Sequence, residues 1–308
     1  MGLRNFLWLL LLASLWGPSF IFIKIAGEDI PPLTLVLGRV GVAALVLYIV
    51  LRLQGRNLPR FGPVWKHFAV AALVQSALPF ALFNWGELHI DSALAAILNG
   101  TTPLFTILFA HFLITDERIT PAKIGGILVG FGGLLLLIAP SLFDGVHATT
   151  WGLLAITMAC VSYGIAIVYA RLHLRGLPPL VAPASQLLLA SLYMLPLSLL
   201  VDRPWSLSMP SLAAIASVLA LGVLGTALAF VIYYMLIDNT SATYVSTVTY
   251  VVPVFGVALG VLVLGEQLHW TAYAGCLLIL TGVMIVNDVF REIVARFRPS
   301  TAEAVIRP

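Results

Sequence analysis

The chain has 308 residues, of which 61% are hydrophobic and only 9% charged, with a mean hydropathy of +1.05 and a net charge of +3. Soluble domains carry about 25% charged residues, so this composition excludes a soluble globule, which would leave far too much apolar surface in water. The small basic excess is spread between apolar runs rather than clustered on one polar face, which excludes a nucleic-acid-binding stripe and points to control of membrane topology.

A hydrocarbon core of ~30 Å is crossed by about 20 apolar residues at 1.5 Å each. Runs of that kind follow one another along the chain at 6–26, 32–53, 65–86, 92–114 and 121–138, then at 150–172, 179–201, 211–237, 241–264 and 269–287. The first follows Arg4 and lacks an A-x-A cleavage pattern, so it is expected to be a retained helix and not a signal peptide. The connections are short and hold most of the charge, and a tail from Asp288 with Arg291, Arg296, Arg298 and Arg307 reads as a solvated cytoplasmic end. The expected fold is therefore all-α and integral to a membrane, with ten transmembrane helices.

Ten spans put both termini on one side. With the N-terminus inside, Arg4, Arg52, Arg56, Arg60, Lys66, Arg118, Lys123, Arg171, Arg175 and the tail arginines are cytoplasmic, whereas only Lys24 and Arg203 lie outside. That bias places both ends in the cytoplasm.

The chain also repeats itself. A shift of 147 residues places Trp16-Gly17-Pro18 on Tyr163-Gly164-Ile165, Lys24 on Arg171, Pro31-Pro32-Leu33 on Pro178-Pro179-Leu180 and Arg56 on Arg203. A shift of 149 to 150 places Ser92-Ala93 on Ser241-Ala242, Thr102-Pro103-Leu104-Phe105 on Val252-Pro253-Val254-Phe255 and Glu117 on Glu266. Residues 1–140 and 148–288 are thus read as two five-helix repeats, with 289–308 as the tail. Five spans per repeat force the second copy to lie upside down, an arrangement that lets a cavity between the copies open alternately to either side.

Ionisable groups inside hydrocarbon are costly and usually functional. Only Arg39 in the second span and His111 in the fourth lie well inside; Glu87, His89 and Asp91 cluster at the outer end of the third, where a solvated loop is expected to hold them, and Glu117 and Glu266 sit at helix ends suited to a cap or interfacial ion pair, with proton coupling as the other reading. The absence of a central carboxylate argues against a site for Na⁺, a proton relay or an organic cation and favours a neutral or zwitterionic substrate; Arg39, within about seven residues of its helix start, is read either as attracting a carboxylate or as snorkelling or pairing structurally. Pro18, Pro79, Pro103 and Pro253 fall inside spans and are assigned as kinks or gates, each freeing the carbonyl four residues earlier: Ser14, Gln75, Asn99 and Thr249.

The polar and aromatic groups around these prolines define the expected substrate cavity: Trp16, Arg39, Phe80, Asn84, Trp85, Asn99, Thr101, Tyr163, Tyr234, Ser246 and Tyr250, with Thr102, Tyr233, Tyr244, Thr247 and Thr249 close by. Rings interspersed with hydrogen-bonding groups suit a compact molecule with one apolar side and one polar end. Gly126-x-x-x-Gly130, Gly256-x-x-x-Gly260 and the glycines Gly275 and Gly282 read instead as close helix packing, with the fifth and tenth helices as scaffold or oligomer contacts. Cys160 and Cys276 have no C-x-x-C partner, so neither a metal site nor a disulfide is expected, and no cofactor or nucleotide loop is found.

These features resemble the EamA-type branch of the drug/metabolite transporter superfamily. The resemblance rests on Trp16-Gly17-Pro18-Ser19-Phe20 in the first helix, Arg39 in the second, and proline-containing helices that end in an acid, Pro103 to Glu117 and Pro253 to Glu266. Within the superfamily the chain looks most like the YddG-type exporters of aromatic and other neutral amino acids. That implies a bacterial inner-membrane protein that exports a small molecule from a central cavity and needs the bilayer but no nucleic acid and no obligatory oligomer. A sibling exporter of nucleosides, drugs or other metabolites is the alternative, and a membrane enzyme or sensor a remote one. A phosphate exchanger would carry several cations in its cavity, where this chain offers Arg39 alone.

Overall fold

The computed structural model describes residues 3–114, 119–143, 147–178, 180–240, 245 and 248–286, and the described residues are helical with no strand. Seven helices are long and apolar enough to cross a membrane: Arg4–Gly27 (α1), Pro32–Leu53 (α2), Val64–Gly86 (α3), Ser92–Leu113 (α4), Ala148–His173 (α6), Val181–Asp202 (α7) and Leu212–Asn239 (α8). Three shorter apolar stretches lie within Pro121–Phe143 (α5), Val248–Leu264 (α9) and Trp270–Val286 (α10). The helices start and stop within a few residues of the expected spans, except that α5 runs on to Phe143 and the described part of α9 begins at Val248. Of the residues singled out in the sequence, Glu117, Arg118, Pro179, Ser241, Ala242, Tyr244, Ser246, Thr247 and the tail lie outside the described residues, as does the side chain of Tyr250.

The prolines act locally, and not all alike. Gly17-Pro18 divides α1 into Leu3–Trp16 and Ser19–Gly27, and Gly100-Thr101, just before Pro103, divides α4 into Ser92–Asn99 and Thr102–Leu113. Before Pro79 the disturbance takes another form, a π-helical turn over Ala72–Ala77, which absorbs the bond the proline cannot make. Pro253 sits inside an unbroken α9. A second π turn, Val223–Leu228, occupies the middle of α8, where there is no proline.

The helices pack in definite pairs. α5 lies on α10, α2 on α7 and α4 on α9, while α3 packs on α6, α1 on α8, α4 on α6 and α1 on α9. The glycines decide the closest of these approaches. A Cβ on Gly282 would strike the backbone of Gly130 and Gly126, and one on Gly275 would meet the Gly133 carbonyl at 3.0 Å, so α5 and α10 touch backbone to backbone. Gly256 makes room for the Ala96 methyl and so brings α9 against α4. Leu45, Ile49, Leu128, Leu135, Leu200, Leu262 and Leu277 are exposed on the outside of the bundle, where hydrocarbon replaces water.

One end of the bundle, where α2, α4, α6 and α8 begin, is tied by charges that reach across it. Lys24 Nζ donates to the carbonyls of Glu87 (2.8 Å) and Ile90 (2.9 Å), satisfying acceptors that the end of α3 leaves unpaired. Asp91 stands at the N-cap of α4 without making a cap bond; Glu266 does so instead, accepting from Ser92 N (2.8 Å), Ser92 Oγ (2.7 Å) and Ala93 N (2.9 Å). Asp202 accepts from Thr34 N and Oγ1 (2.7 and 2.9 Å), and Asp29 from Ser211 N (2.9 Å). These carboxylates make it the capped end of the bundle.

Candidate functional site

Between the helices lies a cavity of ≈ 950 Å³, counted with the solvent at its mouth. Its wall is mostly ring: Trp16 and Phe20 from α1, Phe80 and Phe83 from α3, Tyr163 from α6, and Phe230 and Tyr233 from α8. The rings touch in series, Trp16 to Tyr233 at 5.8 Å, Tyr233 to Phe230 at 6.3 Å, Phe230 to Phe80 at 6.4 Å, Phe20 to Phe83 at 5.8 Å and Phe83 to Tyr163 at 5.9 Å. Among these rings stand the polar groups Ser19, Gln75, Asn99, Thr102 and Thr249. Arg39 is the one charged residue among the described residues that line the cavity.

Arg39 is held from both sides. Its Nε donates to Thr226 Oγ1 at 2.8 Å, a terminal nitrogen lies 3.5 Å from the Gly225 carbonyl, and the guanidinium carbon sits 3.8 Å from the centre of the Phe80 ring. Thr226 and Gly225 belong to the π turn of α8, which turns these groups toward α2. Gln75 belongs to the π turn of α3. Gln75 Oε1 and the Tyr233 hydroxyl face each other, and neither is hydrogen-bonded to any other group. The cavity thus offers a fixed cation with donors to spare, an unused acceptor and an unused hydroxyl.

Of the residues expected here from the sequence, Trp16, Arg39, Phe80, Asn99 and Tyr163 line the cavity. Four others lie elsewhere, and for Trp85, Thr101 and Tyr234 the reason is helical angle at ~100° per residue. Trp85 falls on the far face of α3 from Phe80, is 40% exposed and packs on His89 at 4.5 Å. Asn84 is turned toward α2, where its Nδ2 donates to the Pro32 carbonyl at 3.4 Å. Thr101 bonds back to the Leu98 carbonyl at 2.7 Å within the α4 break, and its neighbour Thr102 faces the cavity. Tyr234 lies behind the wall that Tyr233 forms: its hydroxyl donates to Gln186 Oε1 at 2.6 Å, and Gln186 Nε2 donates to Ser76 Oγ at 2.9 Å. His111, inside the fourth span, accepts from Ile119 N at 3.1 Å and secures the entry to α5.

Phe83, Phe230, Thr226 and the side chain of Gln75, of which only the carbonyl was singled out, are the groups that sequence reasoning passed over. Gln75 and Phe83 carried a signal, since they flank Pro79 by four residues each way. Thr226 carried none, because its position depends on a π turn without a proline.

The EamA-like transporter family matches the chain twice, over residues 3–139 and 150–288. The uncharacterized transporter YoaV of Bacillus subtilis is 25% identical over 90% of this chain and 94% of its own length. The uncharacterized inner membrane transporter YedA of Escherichia coli is 28% identical over 89% of this chain and 87% of its own. A protein named a probable terminal-alkyne amino-acid exporter, from Streptantibioticus cattleyicolor, is 27% identical over 93% of this chain and 95% of its own. A solved crystal structure superposes with a TM-score of 0.70, covering 95% of this chain and 99% of its own at 21% identity, a likeness of fold.

Proposed function

We propose that this chain, which belongs to the EamA-like transporter family and is a multi-pass membrane protein, exports small amphipathic metabolites, foremost aromatic and other neutral amino acids. The observation that carries the reading is the cavity: a wall of rings around one buried guanidinium with no acidic residue among the described lining. The rings would take an apolar side chain, Arg39 the carboxylate, and Gln75, Asn99 and the Tyr233 hydroxyl the amine. The name of the Streptantibioticus relative supports an amino-acid substrate, and the likeness to YddG-type exporters points the same way.

The transport cycle is alternating access of two inverted repeats, residues 1–140 and 148–288, in a ten-helix bacterial inner-membrane protein with both termini and the tail 289–308 in the cytoplasm. The double family match supports this reading. So does the packing, because exchanging each helix for the one five places on turns α3 on α6 into α8 on α1, and α4 on α6 into α9 on α1. The π turns of α3 and α8 obey the same exchange. Pro18, Pro79, Pro103 and Pro253 serve as points of bending, and the substrate chemistry calls for no catalysis by this chain.

The test is uptake of labelled phenylalanine, threonine, a nucleoside and a polyamine into liposomes holding the purified protein. Saturable uptake of the amino acids alone is expected. Uptake of the nucleoside or the polyamine in their place would keep the transporter and overturn its substrate.

A further inference from the structure

We infer that Glu87 is a proton-binding site, which takes up a proton when the capped end of the bundle closes and releases it when that end opens. The inference rests on the alternating-access reading of the two repeats. Glu87 follows α3 directly, is 1% exposed, and neither of its carboxyl oxygens has a hydrogen-bond partner. It is also absent from the cavity wall.

The groups around Glu87 leave its carboxyl alone. Lys24, the cation on α1, spends Nζ on two backbone carbonyls, those of Glu87 itself and Ile90. Arg39 on α2 is engaged with Thr226. Glu266 is committed to the first turn of α4, and His89 on the same loop packs on Trp85. Asp91 is a further acid, and α6 packs behind Gly86 with Gly152 and Ile156.

A buried carboxylate without donors costs several kcal/mol, and taking up a proton removes that cost. Burial accordingly pushes the Glu87 carboxyl well above the ordinary carboxylate range; Lys24 opposes the shift, Glu266 adds to it and Arg39 opposes it. Asp91 is pushed up as well, by burial and by Glu266 against Lys24. No group of three metal-ligating side chains exists among the described residues, and a substrate ammonium in the cavity does not reach Glu87, so the ligand that fits is a proton.

Opening the capped end would hydrate Glu87 and return it toward its ordinary value. The folded, closed value is the raised one, so acid favours closure. Closure weakens as pH rises from the ordinary carboxylate range to the raised value, and changes no further beyond it. Within that window one proton shifts the closed-to-open ratio by at most about tenfold per pH unit.

The test uses Ile90→Cys, a buried position on the same loop, in full-length protein carrying Cys160→Ala and Cys276→Ala. Maleimide labelling is expressed relative to that of Phe61→Cys, exposed in a different loop, to cancel the pH dependence of the thiol. With Glu87 present the ratio should rise with pH by up to about tenfold per unit; with Glu87→Gln, which keeps the shape of the protonated acid, it should stay low and flat. An equal slope in both proteins, or none in the Glu87 protein, would overturn the inference. Infrared spectra at neutral pH provide a second readout: the C=O band of a protonated carboxyl should be present with Glu87 and lost in Glu87→Gln, and its absence from both would also overturn it. Phenylalanine binding to the same preparations tests the transport reading separately, since its loss would sink that reading while leaving the infrared band in place.

Discussion

Arg39 on α2 donates through Nε to Thr226 Oγ1 on α8 at 2.8 Å, so the one cation lining the described cavity is aimed by a hydroxyl from the other half of the chain. A motion of the halves that parts α2 from α8 releases the guanidinium, and a motion that joins them fixes it. Thr226→Val removes the acceptor, keeps the volume and leaves Nε unpaired among apolar neighbours, at a cost of ~1–3 kcal/mol. Its melting temperature should fall while some binding survives. Arg39→Gln should instead weaken carboxylate ligands about ten- to hundredfold, the worth of a hydrogen bond to a charged group at ~1.5–3 kcal/mol. Competition against labelled phenylalanine checks the assignment: an aromatic acid lacking the amine should compete with the Arg39 protein, and an aromatic amine lacking the carboxylate should not. The reverse order would remove Arg39 from the site.

How far the site was legible in the sequence depends on what fixed each residue. Apolar run length fixed the spans, because the bilayer sets it physically, and the helices begin and end close to them. Proline company identified α3, α4 and α9 as polar-lined helices and the tyrosine pair added α8, but both left open which of two adjacent residues faces inward. Tyr233 and Tyr234, or Thr101 and Thr102, differ by ~100° around a helix, and only packing decides between them. The π turns shift that angle again, which is why Thr226 was invisible. The scaffold glycines were legible because close backbone approach has few other solutions.

Glu266 caps α4 from a loop more than 170 residues away in the chain, accepting three hydrogen bonds with its two oxygens. Replacing it by Gln keeps one acceptor and turns the other oxygen into a donor facing the N–H groups of α4. The helix N-terminus also loses a neighbouring negative charge, worth ~0.3–1 kcal/mol. Glu266→Gln should lower the melting temperature in detergent, and Ser92→Ala should add little once Glu266 is gone, because the two share one bond. Additive losses would mean that the cap is not a single unit.

Asp29 responds to pH in the sense opposite to Glu87 at the same end of the bundle. Hydrogen bonds from Ser211 hold its carboxyl below the ordinary range, against a small opposing effect of burial. A depressed folded value means that ionised Asp29 contributes stability above its unfolded value, and that the contribution is lost as pH falls through the folded one. Asp29→Asn should therefore melt slightly below the parent at neutral pH, with the gap closing under acid below the ordinary carboxylate range. A gap that widened in acid would contradict the Ser211 contact.

Gly282 separates scaffold from cavity. A Cβ there would lie 2.5 Å from the Gly126 carbonyl and closer still to Gly130 N, and both belong to backbone that cannot swing aside. Gly282→Ala must therefore push α10 off α5, and overpacking of this kind costs ~1–3 kcal/mol. Neither helix supplies a described residue to the cavity wall. The variant should consequently lose thermal stability and folded yield, while the protein that does fold keeps its affinity for phenylalanine. A change in affinity at unchanged stability would mean that the α5–α10 pair moves with the site instead of bracing it.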